Sequence, residues 1–546
     1  MEIFRVLRIF LVFTIFFLMG DPYCSVSSSL PERLVKSRAA HHNYTAISEF
    51  RLLNRKTLEY CPDPNPYLQI TTSSTAKLFD EEYITVNIAG VLLPSTHHWV
   101  AMISPSHSSV AACLENAILY AQTGDTASLP LLCHYPVKAQ YVSNDTDYLS
   151  CKKKECKEKV NGICVLSTCG ASLSFHVINI RTDIEFVLFS GGFVTPCILR
   201  RSQPLTFANP NKPLYGHLSS TDSTANSMRV TWVSGNQQPQ NVQYGNGKSA
   251  TSLVSTFSQT DMCNTFYLQS PAKDFGWHDP GYIHSAVMTG LNPSTKYSYR
   301  YGSPVASKVS YMTAIGNHER DYKSSGSFYS TPDSGGECGI PYETYFPMPA
   351  VAKDKPWYSI EQGSVHFTVI STEHIWTPNS EQYTWMKKDM AAVDRSRTPW
   401  LIFTGHRPMY TSSGGNIVQP NVDYTFVHSV EPLLLANKVD LVLFGHVHNY
   451  ERTCAVYKRQ CKAMPKKDEN GIDTYDNTNY SAPVHAVIGM AGFSLDGFSP
   501  IANAWSLIRI SKYGYTKMHA MKKELKVEFV NADTRKAEDS FRITKS

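Results

Sequence analysis

Three observations predict a multidomain chain that is all-β in its first half and α/β in its second. Short strands separated by Gly, Asn and Pro turns dominate from about Glu49 to Tyr301, with few long helical periods. From Ser303 onward apolar strands alternate with stretches of helical spacing, the pattern of strands covered by helices. Three apolar runs in that second half each end in a His or an Asn. With 546 residues and 42% hydrophobic content, the chain has room for roughly two to four domains, each with its own core.

The elements follow in order. Met1 to about Ser29 opens with Arg5 and Arg8, continues as an apolar run from Ile9 to Met19 and ends in small polar residues. That is the pattern of a secretory signal peptide and implies an extracellular protein. The run is too short for an ordinary membrane span and nothing later approaches one, so no membrane anchor is expected. Cleavage after Cys24 leaves an even number of the thirteen cysteines, which suits disulfides in an oxidising compartment. For the same reason Cys151, Cys156, Cys164 and Cys169 are expected to form bridges rather than a zinc knuckle. Asn43, Asn144 and Asn479 head Asn-x-Ser/Thr sequons and are candidate glycosylation sites on surface loops. The net charge of +5 is spread out. Its one basic block, Lys152-Lys153-Lys154, reads as a solvated loop, and no nucleic-acid partner is implied.

Residues 49–210 read as a β-rich domain with strands such as Tyr83–Ile88 and Leu173–Ile178. In 211–302, strands such as Met228–Val233 alternate with turns at the spacing of a fibronectin-like sandwich. Within 303–482, Ser364–Ser371 reads as a strand, and Ser380 caps a helix reaching Val393 with Tyr383, Met386, Lys387 and Met390 at helical spacing. A shorter helix is expected over Val430–Asn437. Residues 483–546 return to strands that complete the sandwich of the second half. No internal repeat is apparent.

The chemistry sits at strand ends. Val439–Phe444 leads into Gly445-His446-Val447-His448, Trp400–Thr404 into Gly405-His406, and Val309–Ile315 into Gly316-Asn317-His318-Glu319. Open α/β sheets gather ligands at such ends. Imidazole and amide oxygen suit zinc, iron or manganese better than calcium. In extended chain His446 and His448 point to one side, where two imidazoles can reach adjacent metals. No Gly-x-Ser-x-Gly elbow and no Gly-Lys-Ser/Thr phosphate loop is present.

These motifs carry a resemblance. Gly316-Asn317-His318-Glu319, Gly405-His406-Arg407-Pro408-Met409-Tyr410 and Gly445-His446-Val447-His448-Asn449-Tyr450-Glu451-Arg452 resemble the last three of five blocks in plant purple acid phosphatases, which are metallophosphoesterases. Tyr215–Asp222 and Asn292–Tyr297 are similar to the sandwich domain preceding the catalytic domain in the high-molecular-weight members. Trp505–Ile510 through Asp539-Ser540-Phe541 is similar to their C-terminal strands. The resemblance implies a secreted acid phosphatase that cleaves phosphate monoesters, or a nucleotide pyrophosphatase or phosphodiesterase, as some relatives with this long N-terminal region are described. It also implies a homodimer, and a ferric ion paired with a divalent zinc, manganese or iron. Asn317, His406 and His446 would hold the divalent ion and His448 the ferric one. Asn317 and His318 would face the substrate, with His318 as catalytic hydrogen-bond donor or proton relay.

The family's first two blocks, an Asp-x-Gly and a Gly-Asp-x-x-Tyr at strand ends, are expected between the sandwich domain and Asn317 and are not found there. Asp274-Phe275-Gly276 has no apolar strand before it, and Gly124-Asp125 is followed by Ser128 where a tyrosine is required. The catalytic domain is therefore expected to be incomplete at its start, with the missing stretch falling at Gly302/Ser303. With the iron ligands absent, catalysis is expected to be impaired, leaving a glycoprotein with half a metal site as the alternative.

Overall fold

The computed structural model describes residues 61–546 apart from 62–64, 75–76, 107–135, 193–196, 264–278, 293–294, 298–305, 324, 332, 414–422, 493 and 502. The expected signal peptide, Asn43, Asp274–Gly276, Gly124–Asp125 and the Gly302/Ser303 junction lie outside the described residues. The described chain divides into two compact units, one ending at Pro210 and one beginning at Asn211.

The first unit contains two antiparallel sheets. One runs Gln69–Thr72, Glu82–Val91, Ile163–Val177, Lys154–Val160, and the other Pro136–Tyr141, Trp99–Ile103, Glu185–Ser190, Cys197–Arg201. Along Glu82–Val91 the inward side chains Ile84, Val86 and Ile88 alternate with more accessible ones, the period-2 signal of a half-buried strand. They join Leu173, Phe175, Phe186 and Leu188 in one core. Disulfides Cys61–Cys197, Cys151–Cys169 and Cys156–Cys164 tie this unit together, so the four clustered cysteines are bridges, as secretion predicts.

The second unit opens with an antiparallel sheet ordered Leu253–Ser255, Tyr282–Met288, Met228–Ser234, Leu214–Ser220, beside an Asn241–Tyr244/Lys248–Thr251 hairpin. Its core holds Trp232, Val230, Val242 and Tyr244. The larger sheet beyond it runs Tyr358–Gln362, Val365–Val369, Trp400–Gly405, Leu441–Phe444, Val484–Ile488, Tyr450–Tyr457, Gln460–Ala463, with Ser506–Ile510 also paired to Tyr450–Tyr457. The four strands from Val365–Val369 to Val484–Ile488 are mutually parallel. Parallel neighbours need a crossover, and helices Glu381–Ala391 and Tyr424–Ala436 supply two of them.

Both faces of this sheet are covered, which explains why Trp400–Phe403 and Leu441–Phe444 at its centre are continuously apolar. Trp400 and Ile402 face one core with Leu525, Val527, Phe541 and Ile543 of the C-terminal strands. Leu401 and Phe403 face the other, with Met386, Met390, Phe426 and Val430 of the helices. Fully buried Arg452 joins this sheet to a second one ordered Lys466–Lys467, Asp473–Asp476, Ala537–Thr544, Glu524–Asn531, Gly514–Ala520: Nε donates to Asp539 Oδ2 at 2.7 Å, and Nη2 donates to Asp539 Oδ1 at 2.9 Å and Asp473 Oδ2 at 2.7 Å.

Two expectations are corrected here. Val309–Ile315 forms no strand; only Ser310 makes a bridge, to Leu218. Its backbone finds side-chain partners instead, since the Thr313 carbonyl accepts from Tyr342 Oη at 3.0 Å and Tyr358 Oη at 2.9 Å. Met312 and Ala314 still pack against Met348, Tyr358 and Ile360, so the segment's apolar character reflects burial without a ladder. The helix expected over Val430–Asn437 begins earlier, at Tyr424, with the Asp423 carboxylate accepting from the Phe426 N–H. It runs through Pro432, whose missing N–H leaves the carbonyl of the exposed His428 to water. The Ser380-capped helix spans Glu381–Ala391, with Ser380 accepting from the Tyr383 N–H.

Candidate metal centre

Three polar atoms from three distant segments converge at the C-terminal edge of the large sheet. His406 Nε2 is 2.6 Å from Asn317 Oδ1, and His446 Nδ1 is 3.3 Å from Asn317 Oδ1 and 3.2 Å from His406 Nε2. His406 follows the Trp400–Gly405 strand and His446 the Leu441–Phe444 strand. Asn317 opens a single helical turn, Asn317–Arg320, whose start is fixed by the Gly316 N–H donating to Glu319 Oε2 at 3.0 Å. Gly316 is required there, because a Cβ would meet the His406 ring at 2.9 Å. His446 sits at φ +64°, a left-handed conformation uncommon for any residue but glycine.

The donor set passes a simple test. Ligands about 2.0–2.1 Å from one zinc ion stand about 2.8–3.4 Å apart, depending on whether it is octahedral or tetrahedral. Two of the three separations fall in that range, 3.2 and 3.3 Å, and the 2.6 Å pair opens by a few tenths of an ångström. Both imidazoles are held neutral, the form that binds metal. Burial, followed by the neighbouring His446 and Arg407, pushes His406 well below the ordinary histidine value. Burial and then Arg407 push His446 down to about 3. No cluster of three His, Cys, Asp or Glu side chains that could hold a metal occurs among the described residues; here the third donor is an amide.

The other expected residues stand at the margin. His318 is exposed, with Nδ1 3.3 Å from the Asp333 carbonyl. The half-buried His448 is close enough for its charge to depress both His406 and His446, while its backbone N–H donates to Asp496 Oδ2 at 2.8 Å. Asn144 is half-buried at the end of a short 3₁₀ turn, and Asn479 is exposed.

The sequence reading missed a charged cradle beside the triad. Arg407 donates from Nε to Glu373 Oε2 at 2.9 Å, from Nη2 to Asp321 Oδ2 at 2.8 Å and from Nη1 to His446 Nε2 at 3.2 Å. Its guanidinium lies 4.1 Å from the centre of the Tyr329 ring, and Tyr329 donates to Asp423 Oδ2 at 2.8 Å. Asp321 and Glu373 are fully buried. Burial, reinforced by the Asp321 carboxylate against the opposing pull of Arg407, pushes Glu373 up to about 8. Asp333 Oδ2 accepts from Asn317 Nδ2 at 2.7 Å and Thr331 Oγ1 at 2.8 Å. Burial works to raise the Asp333 carboxyl, but these hydrogen bonds and the His318 and Arg407 charges outweigh it and hold it below the usual range. Asp333-Ser334-Gly335 is itself an Asp-x-Gly. It was overlooked because it lies after Asn317 and follows no apolar strand.

Four family models match the chain: "Fn3-like domain from Purple Acid Phosphatase" over residues 69–209, "Purple acid Phosphatase, N-terminal domain" over 213–333, "Calcineurin-like phosphoesterase" over 277–450 and "Iron/zinc purple acid phosphatase-like protein C" over 482–540. The chain is 30% identical to probable inactive purple acid phosphatase 27 of Arabidopsis thaliana over 572 residues, covering 85% of this chain and 87% of the relative. It is 30% identical to probable inactive purple acid phosphatase 1 of the same plant over 566 residues, covering 83% and 85%. Both alignments are longer than the 546-residue chain itself, although neither uses all of it, so each relative carries residues with no counterpart here. The solved purple acid phosphatase PPD1 of yellow lupin seeds superposes with a TM-score of 0.74 at 28% identity, over 88% of this chain and 97% of that one. Fold, strand-end motifs and relatives agree that this chain belongs to the purple acid phosphatase family of metallophosphoesterases.

Proposed function

We propose that this chain is a secreted, glycosylated purple acid phosphatase relative that binds one divalent ion and phosphate esters and turns over phosphate monoesters poorly. The observation that carries the reading is the convergence of Asn317 Oδ1, His406 Nε2 and His446 Nδ1 within 2.6–3.3 Å. A divalent zinc, manganese or iron ion held there would polarise a phosphoryl oxygen. His448 would be what remains of the ferric site, because the family's two carboxylate- and tyrosine-bearing blocks are not found before Asn317. Relatives named probable inactive phosphatases, and alignments that outrun this chain, support that reading.

The chain's own residues define a limited chemistry. Asn317, anchored through Nδ2 on Asp333, presents its amide oxygen in one orientation. His318, exposed beside it, can give or take a proton at the substrate's leaving oxygen. Phosphate monoesters are preferred over nucleotides as substrates. A barley nucleotide pyrophosphatase/phosphodiesterase is 36% identical but over only 44% of this chain, whereas the relatives named probable inactive purple acid phosphatases 27 and 1 span 85% and 83% of it. Secretion is supported by the five disulfides among the described residues. A homodimer is proposed on family resemblance.

The test compares this chain with a longer one carrying the family's first two blocks between Gly302 and Ser303. Each is loaded with iron and zinc and assayed with p-nitrophenyl phosphate and a nucleoside diphosphate. The expectation is a colourless, poorly active chain beside a purple, active longer one. A visible charge-transfer band in the shorter chain, or turnover matching the longer one and abolished by His446→Ala, would overturn the reading.

A further inference from the structure

The Arg407 cradle is built more elaborately than a structural ion pair requires. Two fully buried acidic side chains, Asp321 and Glu373, fix the guanidinium from one side. Its main-chain N–H donates to Thr372 Oγ1 at 3.0 Å, and its flat face is covered by Tyr329, itself tied down by Asp423. The result is a cation in a single rotamer, hydrogen-bonded to His446 and so at the rim of the triad. The side chain keeps 15% of its surface open. Three of its N–H donors are engaged, by Glu373, Asp321 and His446. Asp333 Oδ2, at 3.8 Å from Nη2, is beyond hydrogen-bond range. A guanidinium has five donors in a planar fork that matches phosphate oxygens, so two remain.

We propose that Arg407 is a substrate-binding residue: a fixed second cation that takes a phosphoryl oxygen beside a single divalent ion on Asn317, His406 and His446. This deepens the proposed function and rests on its metal site. The geometry also couples the two ligands. An imidazole bonded to a metal through Nδ1 carries its ring proton on Nε2 and stops accepting from Arg407. Metal binding therefore frees a further Nη1 donor for the phosphate. Arg407 should accordingly oppose the metal, by charge and by its hold on His446, while favouring the phosphate. A residue that merely scaffolds the site would support both.

The experiment is isothermal titration of the full chain, first with zinc alone and then, zinc-loaded, with inorganic phosphate. Arg407→Gln is expected to bind zinc severalfold more tightly and phosphate roughly ten- to hundredfold more weakly, the loss of a charge-assisted hydrogen bond in a partly dry site. Arg407→Lys keeps a cation between Asp321 and Glu373, and with it the fold, but loses the fork. It should bind phosphate more weakly and zinc at least as tightly as wild type, and it decides the matter if the Gln variant does not fold. Phosphate affinity equal to wild type in the folded variants, or a joint weakening of zinc and phosphate, would overturn the role of Arg407. Failure of the wild-type chain to take up zinc at all would instead overturn the metal site on which it rests.

Discussion

Glu373→Gln should change how the fold responds to pH. In the folded chain the Glu373 carboxyl is raised from 4.5 to about 8, chiefly by burial and then by Asp321, with Arg407 pulling the other way. At pH below 4.5 both folded and unfolded chains hold the proton. Between 4.5 and about 8 the unfolded chain releases it and the folded chain keeps it, so each step upward favours unfolding. At about 1.4 kcal/mol per unit of displacement, raising the pH from about 5 to about 7 removes roughly 2–3 kcal/mol that Gln, which has no proton to lose, retains. Urea unfolding followed by tryptophan fluorescence, with chelator present throughout, measures this directly. The stability of wild type minus that of Glu373→Gln should fall by that amount over the interval. A difference independent of pH would refute the buried, proton-holding carboxyl and the cradle built around it.

Two further substitutions separate the fold from the site. Arg452→Met removes the one cation held by the buried Asp539, leaving it the Tyr450 hydroxyl, and one of the two held by Asp473, which keeps Lys467, and should lower unfolding free energy by about 3–5 kcal/mol in chemical denaturation. Gly316→Ala places a methyl group 2.9 Å from the His406 ring. It should weaken zinc uptake in titration at least tenfold, roughly the effect of displacing one ligand, while shifting the thermal midpoint by only a few degrees.

Much of this architecture can be read in the sequence wherever one physical cause acts alone. Trp400–Phe403 is apolar at every position because Trp400 and Ile402 fill one core while Leu401 and Phe403 fill the other, and its ending at His406 points to the site. Ser380 announces its helix by capping it. Val309–Ile315 is partly apolar too but gains only the single bridge from Ser310 to Leu218, and tyrosine hydroxyls take up its Thr313 carbonyl; that depends on Tyr342 and Tyr358, which lie far along the chain. The helix through Pro432 was legible only from Val430 onward, whereas it runs back to Tyr424 and tolerates the proline at an exposed turn. Asn317, His406 and His446 were legible because each stands at a motif. Asp321, Tyr329, Asp333 and Glu373 were not, since nothing local marks a carboxylate or tyrosine that will meet Arg407 only after folding.

The central claim is that this chain gathers one divalent ion on an amide oxygen and two imidazoles. X-ray absorption fine structure at the zinc edge, on chain loaded with zinc and iron, tests it most directly. The account predicts an all N/O shell at about 2.0–2.1 Å with two imidazoles and no second metal at about 3.5–4 Å. Loss of one imidazole is predicted for both His406→Ala and His446→Ala. A sulfur shell, a spectrum unchanged by either substitution, or a clear metal–metal vector would contradict it.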